Sequence, residues 1–293
     1  MNIKQVLITG SDGQLGKSLF KMRGNYPSLS LIPSDIQDLD ITDYKKAKNF
    51  LEKGRIDYLI NCAAFTAVDK AEKSEETAFN INQLGVKNLA SLCKDLKIPL
   101  IHISTDYVFS GSGNVPYKES DQTGPLTAYG RSKLAGEKSV MDIGVHGLII
   151  RTSWLYSEYG ANFVKSMLRI GNERDNLGVV IDQIGSPTYA EDLATVLLTI
   201  INGYQAGDLV VEKARVFHFC NSGICSWYDF ATSIMEIARI NCTIYPITTE
   251  EFPLPAKRPH YSALNTALFR QKFGFEIPHW RTSLISCIEK MKN

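Results

Sequence analysis

The stretch "KQVLITGSDGQLGKSLFKMR", Lys4 to Arg23, decides the reading of the fold. It begins as a short apolar run that ends on a glycine, the mark of a buried strand. It continues with Leu15, Leu19 and Met22 at helical spacing. Between the two parts, Gly10, Gly13 and Gly16 make a turn from strand into helix. Glycines at such a turn let the backbone approach a diphosphate and let the helix pack on the strand. The helix N-terminus offers N–H groups and a favourable dipole to the anion. The spacing is GxxGxxG rather than GxGxxG, so the dinucleotide reading rests on its context, strand before and helix after.

Outward from this turn the chain alternates. "LSLIPSD" (29–35), "IDYLINCAA" (56–64), "PLIHIST" (99–105) and "HGLIIRTS" (146–153) read as strands. "TDYKKAKNFLEK" (42–53), a long stretch from about Glu75 to Leu96, and "LTAYGRSKLAGEKSVMDI" (126–143) read as helices. Alternation of this kind predicts an α/β fold, a doubly wound parallel sheet of Rossmann type with right-handed crossovers. After Trp154 the pattern loosens. Helices are expected around 162–171, 190–201 and 226–240, with short strands at "LGVVIDQ" and "RVFHFC". "TTEEFPLPAKRPHYSAL" is Pro-rich and reads as a surface loop. The expected division is a dinucleotide-binding domain over 1–154, to which later segments return, and a smaller, interleaved lobe over 155–293.

Bulk properties narrow the function. The formal net charge of the 293 residues is +1 with no long basic run, which argues against nucleic acid as partner. No apolar run reaches the length of a membrane span. The first ten residues read as a strand rather than a signal peptide. The six cysteines are scattered, and none forms a CxxC. They are expected to be reduced thiols in a cytoplasmic protein, and no metal site is expected from their spacing.

The second strand ends at Asp35, where an acid would bond the adenosine ribose hydroxyls and repel a 2′-phosphate. This leans toward NADH over NADPH. Asp40 and Ile41 are candidates to flank the adenine. The fourth strand ends in Ser104, Thr105, Asp106 and Tyr107, and ligands of open parallel sheets bind beyond such ends. The next helix begins with Tyr129 and Lys133, which share a face at i, i+4. Reducing a ketone by hydride needs a proton delivered as charge develops on the oxygen. A phenol titrates near 10, too high to match neutral pH, and a neighbouring ammonium would lower it. Thr105 would orient the carbonyl. Gly130 and Ser132 are small and would leave room for the nicotinamide and the substrate.

At this point the chain resembles the extended short-chain dehydrogenase/reductases. Within them it resembles the family that reduces the C4 keto group of dTDP-4-dehydro-L-rhamnose with NADH or NADPH. The matching stretches are "GSDGQLG", "NCAAFTAVDKAE", "FNINQLGVKNLA", "STDYVFSG", "YGRSKLAGE", "RTSWLY", "DQIGSPTYAEDLA" and "RPHYSAL", and they cover nearly the whole chain. The resemblance implies that Tyr129 is the acid, Lys133 its tuner and Thr105 the carbonyl partner. It places Gly13, Gln14 and Leu15 at the cofactor diphosphate, Asp35, Asp40 and Ile41 along the adenosine, and Ala64, Phe65 and Thr66 after the third strand. It places Val68, Asp106, Tyr107 and Trp154 at a sugar nucleotide, with Arg258 as a diphosphate partner. Some members bind Mg²⁺ at a dimer interface, through a glutamate after the glycine turn and a later acidic pair. Here the acids Glu191 and Asp192 are present, but Ser18 stands at the first position and Lys17 adds positive charge. A monomer or weak homodimer without Mg²⁺ is therefore expected. Two alternatives stay open: a reductase or epimerase of another nucleotide 4-keto sugar, and a non-catalytic regulatory subunit of the same fold.

Overall fold

The computed structural model describes residues 3–203 and 213–292. A parallel sheet forms the centre. β1 (Lys4–Thr9), β2 (Leu29–Ser34), β3 (Tyr58–Asn61), β4 (Leu100–Thr105) and β5 (Gly147–Thr152) supply five of its strands, and Arg215–His218 supplies the sixth. Across the sheet the order is Arg215–His218, β5, β4, β3, β1, β2. The chain steps from β1 outward to β2, then returns to β3 on the other side of β1. This reversal opens a crevice at the carboxyl ends of β1 and β3, the place where such sheets bind ligands.

The inner strands β1, β3, β4 and β5 are buried on both faces, as a parallel sheet requires. Their side chains alternate between two cores. Val6, Ile8, Ile60 and Ile150 face Leu193 and Leu197 of the helix Ala190–Gly203. Leu7, Leu59 and Ile149 face Leu51, Leu89 and Cys93 on the opposite side. The helix Ala190–Gly203 lies beside the helix Gln14–Lys21, and Ala267–Phe273 lies against the edge strand Arg215–His218. A third core gathers Tyr156, Val164, Tyr189, Phe230 and Leu284 into a lobe. Helices Phe163–Glu173, Trp227–Ala238 and Trp280–Lys292 build that lobe, with a small parallel pair of strands, Asn176–Val180 and Thr243–Ile247. The Pro-rich stretch is irregular after Ile247 and is tied down by isolated bridges from Ile184 to Tyr261 and from Tyr117 to Leu264.

One helix differs from the regular element expected between Glu75 and Leu96. It runs as Glu75–Phe79, a π-helical turn Asn80–Gly85, and Val86–Asp95. The wider turn carries Asn82 inward. There its amide accepts from the Phe65 N–H at 2.8 Å, donates to the Phe65 carbonyl at 3.0 Å and donates to Ser132 at 2.9 Å. Turns of this kind recur at functional sites because they re-aim one side chain without ending the helix.

All six cysteines are free thiols. Burial pushes Cys62 and Cys220 up to about 12, so both are protonated and unreactive at neutral pH. Among the described residues no helix is long and apolar enough to cross a membrane.

Candidate active site

A cavity of about 790 Å³ runs from the glycine turn past the ends of β3, β4 and β5 to Trp154 and Trp227. At one end its wall holds Gly10, Gly13, Gln14, Leu15 and Gly16. Asp35, Asp40 and Ile41 form one side, and Ala64, Thr66 and Val68 follow β3. Thr105, Asp106, Tyr107, Tyr129 and Lys133 close the deep end.

The turn fits a dinucleotide. Gly10 has φ +65°, and a Cβ there would stand 2.6 Å from the Ala63 backbone nitrogen. No side chain caps the start of the helix Gln14–Lys21, so its first turn faces the cavity with its N–H groups open to an anion. The Asp35 carboxylate holds the turn in place. It accepts from the Asp12 N–H at 2.9 Å and from the Ile36 N–H at 2.8 Å. Gln14 ties the turn to the lobe, donating to the Leu155 carbonyl and accepting from Ser157 and Asn162.

At the deep end, helix Ala128–Ile143 is anchored by two contacts on its first turn. The Thr127 hydroxyl accepts from the Gly130 N–H at 3.0 Å, and the Ala128 N–H donates to Glu72 at 2.9 Å. Those bonds aim Tyr129 and Lys133 at the sheet. Thr105 ends β4 level with Thr152 of β5. Tyr107 packs edge-on against the Tyr129 ring with 5.5 Å between centroids. Burial pushes the Tyr129 phenol up to about 12, and a hydrogen bond with the Thr105 hydroxyl pulls it back. The Lys133 ammonium donates to the Ile103 carbonyl at 2.6 Å, and burial pulls its pKa down to about 8. Asp106 accepts from the Thr105 hydroxyl at 3.0 Å, while its Oδ2 is buried with no hydrogen-bond partner. Burial pushes this carboxyl up to about 6 against the pull of the Ser262 and Thr105 hydroxyls.

Phe65 and Arg258 sit away from the cavity wall, and the expectation for Gly130 and Ser132 needs correction. Phe65 is not in the cavity wall; its backbone is bonded on both sides to Asn82, and its ring packs on Ala71, Ala78, Ala128 and Tyr129. Arg258 also stands outside the wall. Its guanidinium grips Asp69 through two bonds of 3.0 and 2.8 Å. Gly130 and Ser132 leave no room for a ligand. A Cβ on Gly130 would meet the Tyr107 carbonyl at 2.2 Å, and Ser132 is bonded to Asn82 and the Tyr129 carbonyl. Their small size serves close packing of the helix.

Reading from the sequence also missed residues. Asn162 lines the cavity and caps the helix Phe163–Glu173. Trp227 lines it and stacks on Trp154, with 3.5 Å between centroids and 6° between planes. Neither position carries a spacing signal, because each reaches the cavity only through the fold of the lobe. The acids Glu191 and Asp192, and Ser18, are each engaged within the chain. Glu191 is bonded to Lys290, Asp192 accepts from Asn221 and Ser283, and Ser18 donates to the Gln14 carbonyl.

The profile of the family described as the RmlD substrate binding domain matches residues 4–293. A dTDP-4-dehydrorhamnose reductase from Aggregatibacter actinomycetemcomitans is 40% identical over 289 residues, covering 96% of this chain and 97% of the relative. The crystal structure of a dTDP-4-dehydrorhamnose reductase from Clostridium acetobutylicum superposes with a TM-score of 0.92 at 41% identity, covering 99% of this chain and 100% of that one. A dTDP-4-dehydrorhamnose reductase from Bacillus anthracis, solved in complex with NADP, superposes with a TM-score of 0.92 at 37% identity over 98% of this chain and 99% of that one.

Proposed function

The chain belongs to the family of the RmlD substrate binding domain, and from that premise we propose that it is an NAD(P)H-dependent reductase of dTDP-4-dehydro-L-rhamnose, yielding dTDP-L-rhamnose. One observation carries the proposal: a single cavity joins the glycine turn to Thr105, Tyr129 and Lys133. The first part suits a dinucleotide, and the second suits proton delivery to a carbonyl. The chemistry needs both within one enclosure. A cavity of this size lies in the range of small-molecule sites.

A bound reduced nicotinamide supplies the hydride for the C4 carbon. The residues of this chain supply the rest. The Gly10–Gly16 turn and the helix start hold the diphosphate. Asp35, with Asp40 and Ile41, lies along the adenosine, and its charge favours NADH over NADPH. Thr105 bonds the C4 oxygen, placed by its position at the end of β4. Tyr129 donates the proton to that oxygen as negative charge develops there. Lys133 contributes positive charge beside the phenol, which lowers the cost of proton transfer. Asp106, Tyr107, Val68 and Trp154 contact the sugar nucleotide. Arg258 becomes a diphosphate partner only by exchanging Asp69 for phosphate oxygens, which a guanidinium can take bidentately.

Turnover with a panel of dTDP-4-keto sugars tests the reading. Purified protein should oxidise NADH or NADPH fastest with dTDP-4-dehydro-L-rhamnose. Faster turnover of another 4-keto sugar would replace the substrate, and no turnover with any would leave the regulatory subunit as the better reading. The same assay run with both cofactors tests Asp35, and a strong preference for NADPH would overturn its role.

A further inference from the structure

Beyond the trio lies a buried charge cluster for which the reaction has no stated use. Tyr129, Lys133 and Glu137 recur at every fourth residue, on one face of the helix Ala128–Ile143. Glu137 has 0% exposure and Arg151 of β5 has 3%. The Arg151 guanidinium grips Glu137 with its Nε at 2.9 Å and its Nη2 at 2.7 Å. The Ser104 hydroxyl donates to the same carboxylate. Ser104 sits between Ile103, whose carbonyl holds Lys133, and Thr105. Glu137 therefore binds the strand that presents both.

We infer that Glu137, clamped by Arg151, is a positioning residue that keeps Lys133 in its ammonium form and fixes the end of β4 beneath Tyr129. A buried ion pair adds little stability over well-packed apolar residues, because desolvation offsets its attraction. Its charge is better explained by what it faces. The titratable and charged groups packed around Lys133 are Tyr129 and Glu137 on its own helix, Cys62 after β3, and His102 on β4, with Arg151 of β5 behind Glu137. Cys62 is a neutral thiol. Burial and Lys133 itself keep His102 neutral. That leaves Glu137 as the negative charge opposing the loss of the Lys133 proton by burial.

The use of Lys133 in catalysis rests on the proposed reductase reading, but the test does not. Protein labelled with ¹³Cε-lysine reports each lysine's titration by nuclear magnetic resonance, and Lys133→Met identifies the signal. Glu137→Gln should move the Lys133 midpoint down by at least about 1 pH unit, the usual effect of removing a close opposite charge. The alkaline limb of the kcat profile should move with it. If Glu137→Gln does not fold, the Glu137→Gln/Arg151→Gln double variant replaces the pair with neutral side chains, a change that buried pairs often tolerate. A smaller downward shift is expected there, because the double change removes the more distant positive charge along with the nearer negative one. An unmoved Lys133 midpoint, with a kcat loss uniform across pH, would mean a merely structural pair and overturn the inference. A wild-type protein without reductase turnover would overturn the functional reading alone, because the lysine titration needs no substrate.

Discussion

Replacing Asp106 with asparagine should make the protein more stable, and more so as pH rises. Asp106 is 2% exposed, and its Oδ2 has no hydrogen-bond partner. Burial raises its pKa from 3.8 to about 6. At about 1.36 kcal/mol per unit, that difference makes the buried carboxylate cost roughly 3 kcal/mol once it is fully ionised. The sign follows from proton binding. Between about pH 4 and pH 6 the folded protein binds more protons at this site than the unfolded chain does, so stability falls as pH rises through that window. Asparagine keeps the shape, can accept from Thr105 through its carbonyl, and carries no charge. Urea unfolding of Asp106→Asn and wild type at pH 5 and pH 8 checks this. The variant's advantage should widen by about 1 to 1.5 kcal/mol between the two, because the carboxyl is mostly protonated at the lower pH. Activity should fall in the same variant, since a group retained at such a cost is one that the site uses. An advantage that is flat with pH, or a wild type more stable at pH 8, would refute the argument.

Tyr129→Phe should lower turnover by roughly 10²- to 10⁴-fold, the range for removing a general acid, and leave cofactor affinity unchanged. The loss to folding should be only about 1 kcal/mol, one neutral hydrogen bond, because Thr105 keeps Asp106 and the Tyr107 N–H as partners; unaltered turnover would remove Tyr129 from the mechanism. Gly10→Ala forces a Cβ to 2.6 Å from the Ala63 nitrogen at φ +65°. It should abolish cofactor binding in a fluorescence titration and lower stability by about 1 to 3 kcal/mol, and tight binding in this variant would show that the turn is not the cofactor site. Trp227→Ala removes the stacked partner of Trp154, and should raise KM for the sugar nucleotide roughly 2- to 10-fold with the cofactor Kd unchanged. A change confined to the cofactor Kd would move the Trp pair to the other end of the cavity.

The central sheet was legible because its signals are local. "KQVLITG" and "IDYLINCAA" are apolar runs that only a strand buried on both faces explains, and β1 and β3 lie side by side in the sheet. The trio was legible because topology places strand ends and helix starts together, whatever the loop between them does. The rest depended on partners distant in sequence. The resemblance places Arg258, in "PAKRPH", at a diphosphate, yet Asp69, 189 positions earlier, already holds it. Gly130 reads as open space, yet the Tyr107 carbonyl fills that space. The inward turn of Asn82 needs a π-helical step that no periodicity in "FNINQLGVKNLA" announces.

The electrostatics of the trio follow from the same long-range packing. A phenol beside a lysine suggests an ion-assisted acid when only the two residues are considered. Within the fold, one act of burial drives three groups toward their uncharged forms: it raises Tyr129 and Asp106 and lowers Lys133. In a buried site of that kind, charge interactions are stronger than in water. There the Lys133 ammonium donates to the Ile103 carbonyl, which satisfies one of its three donors in a buried place. Helix spacing sets the reach of Lys133, and the end of β4, through the Ile103 carbonyl, sets its resting place.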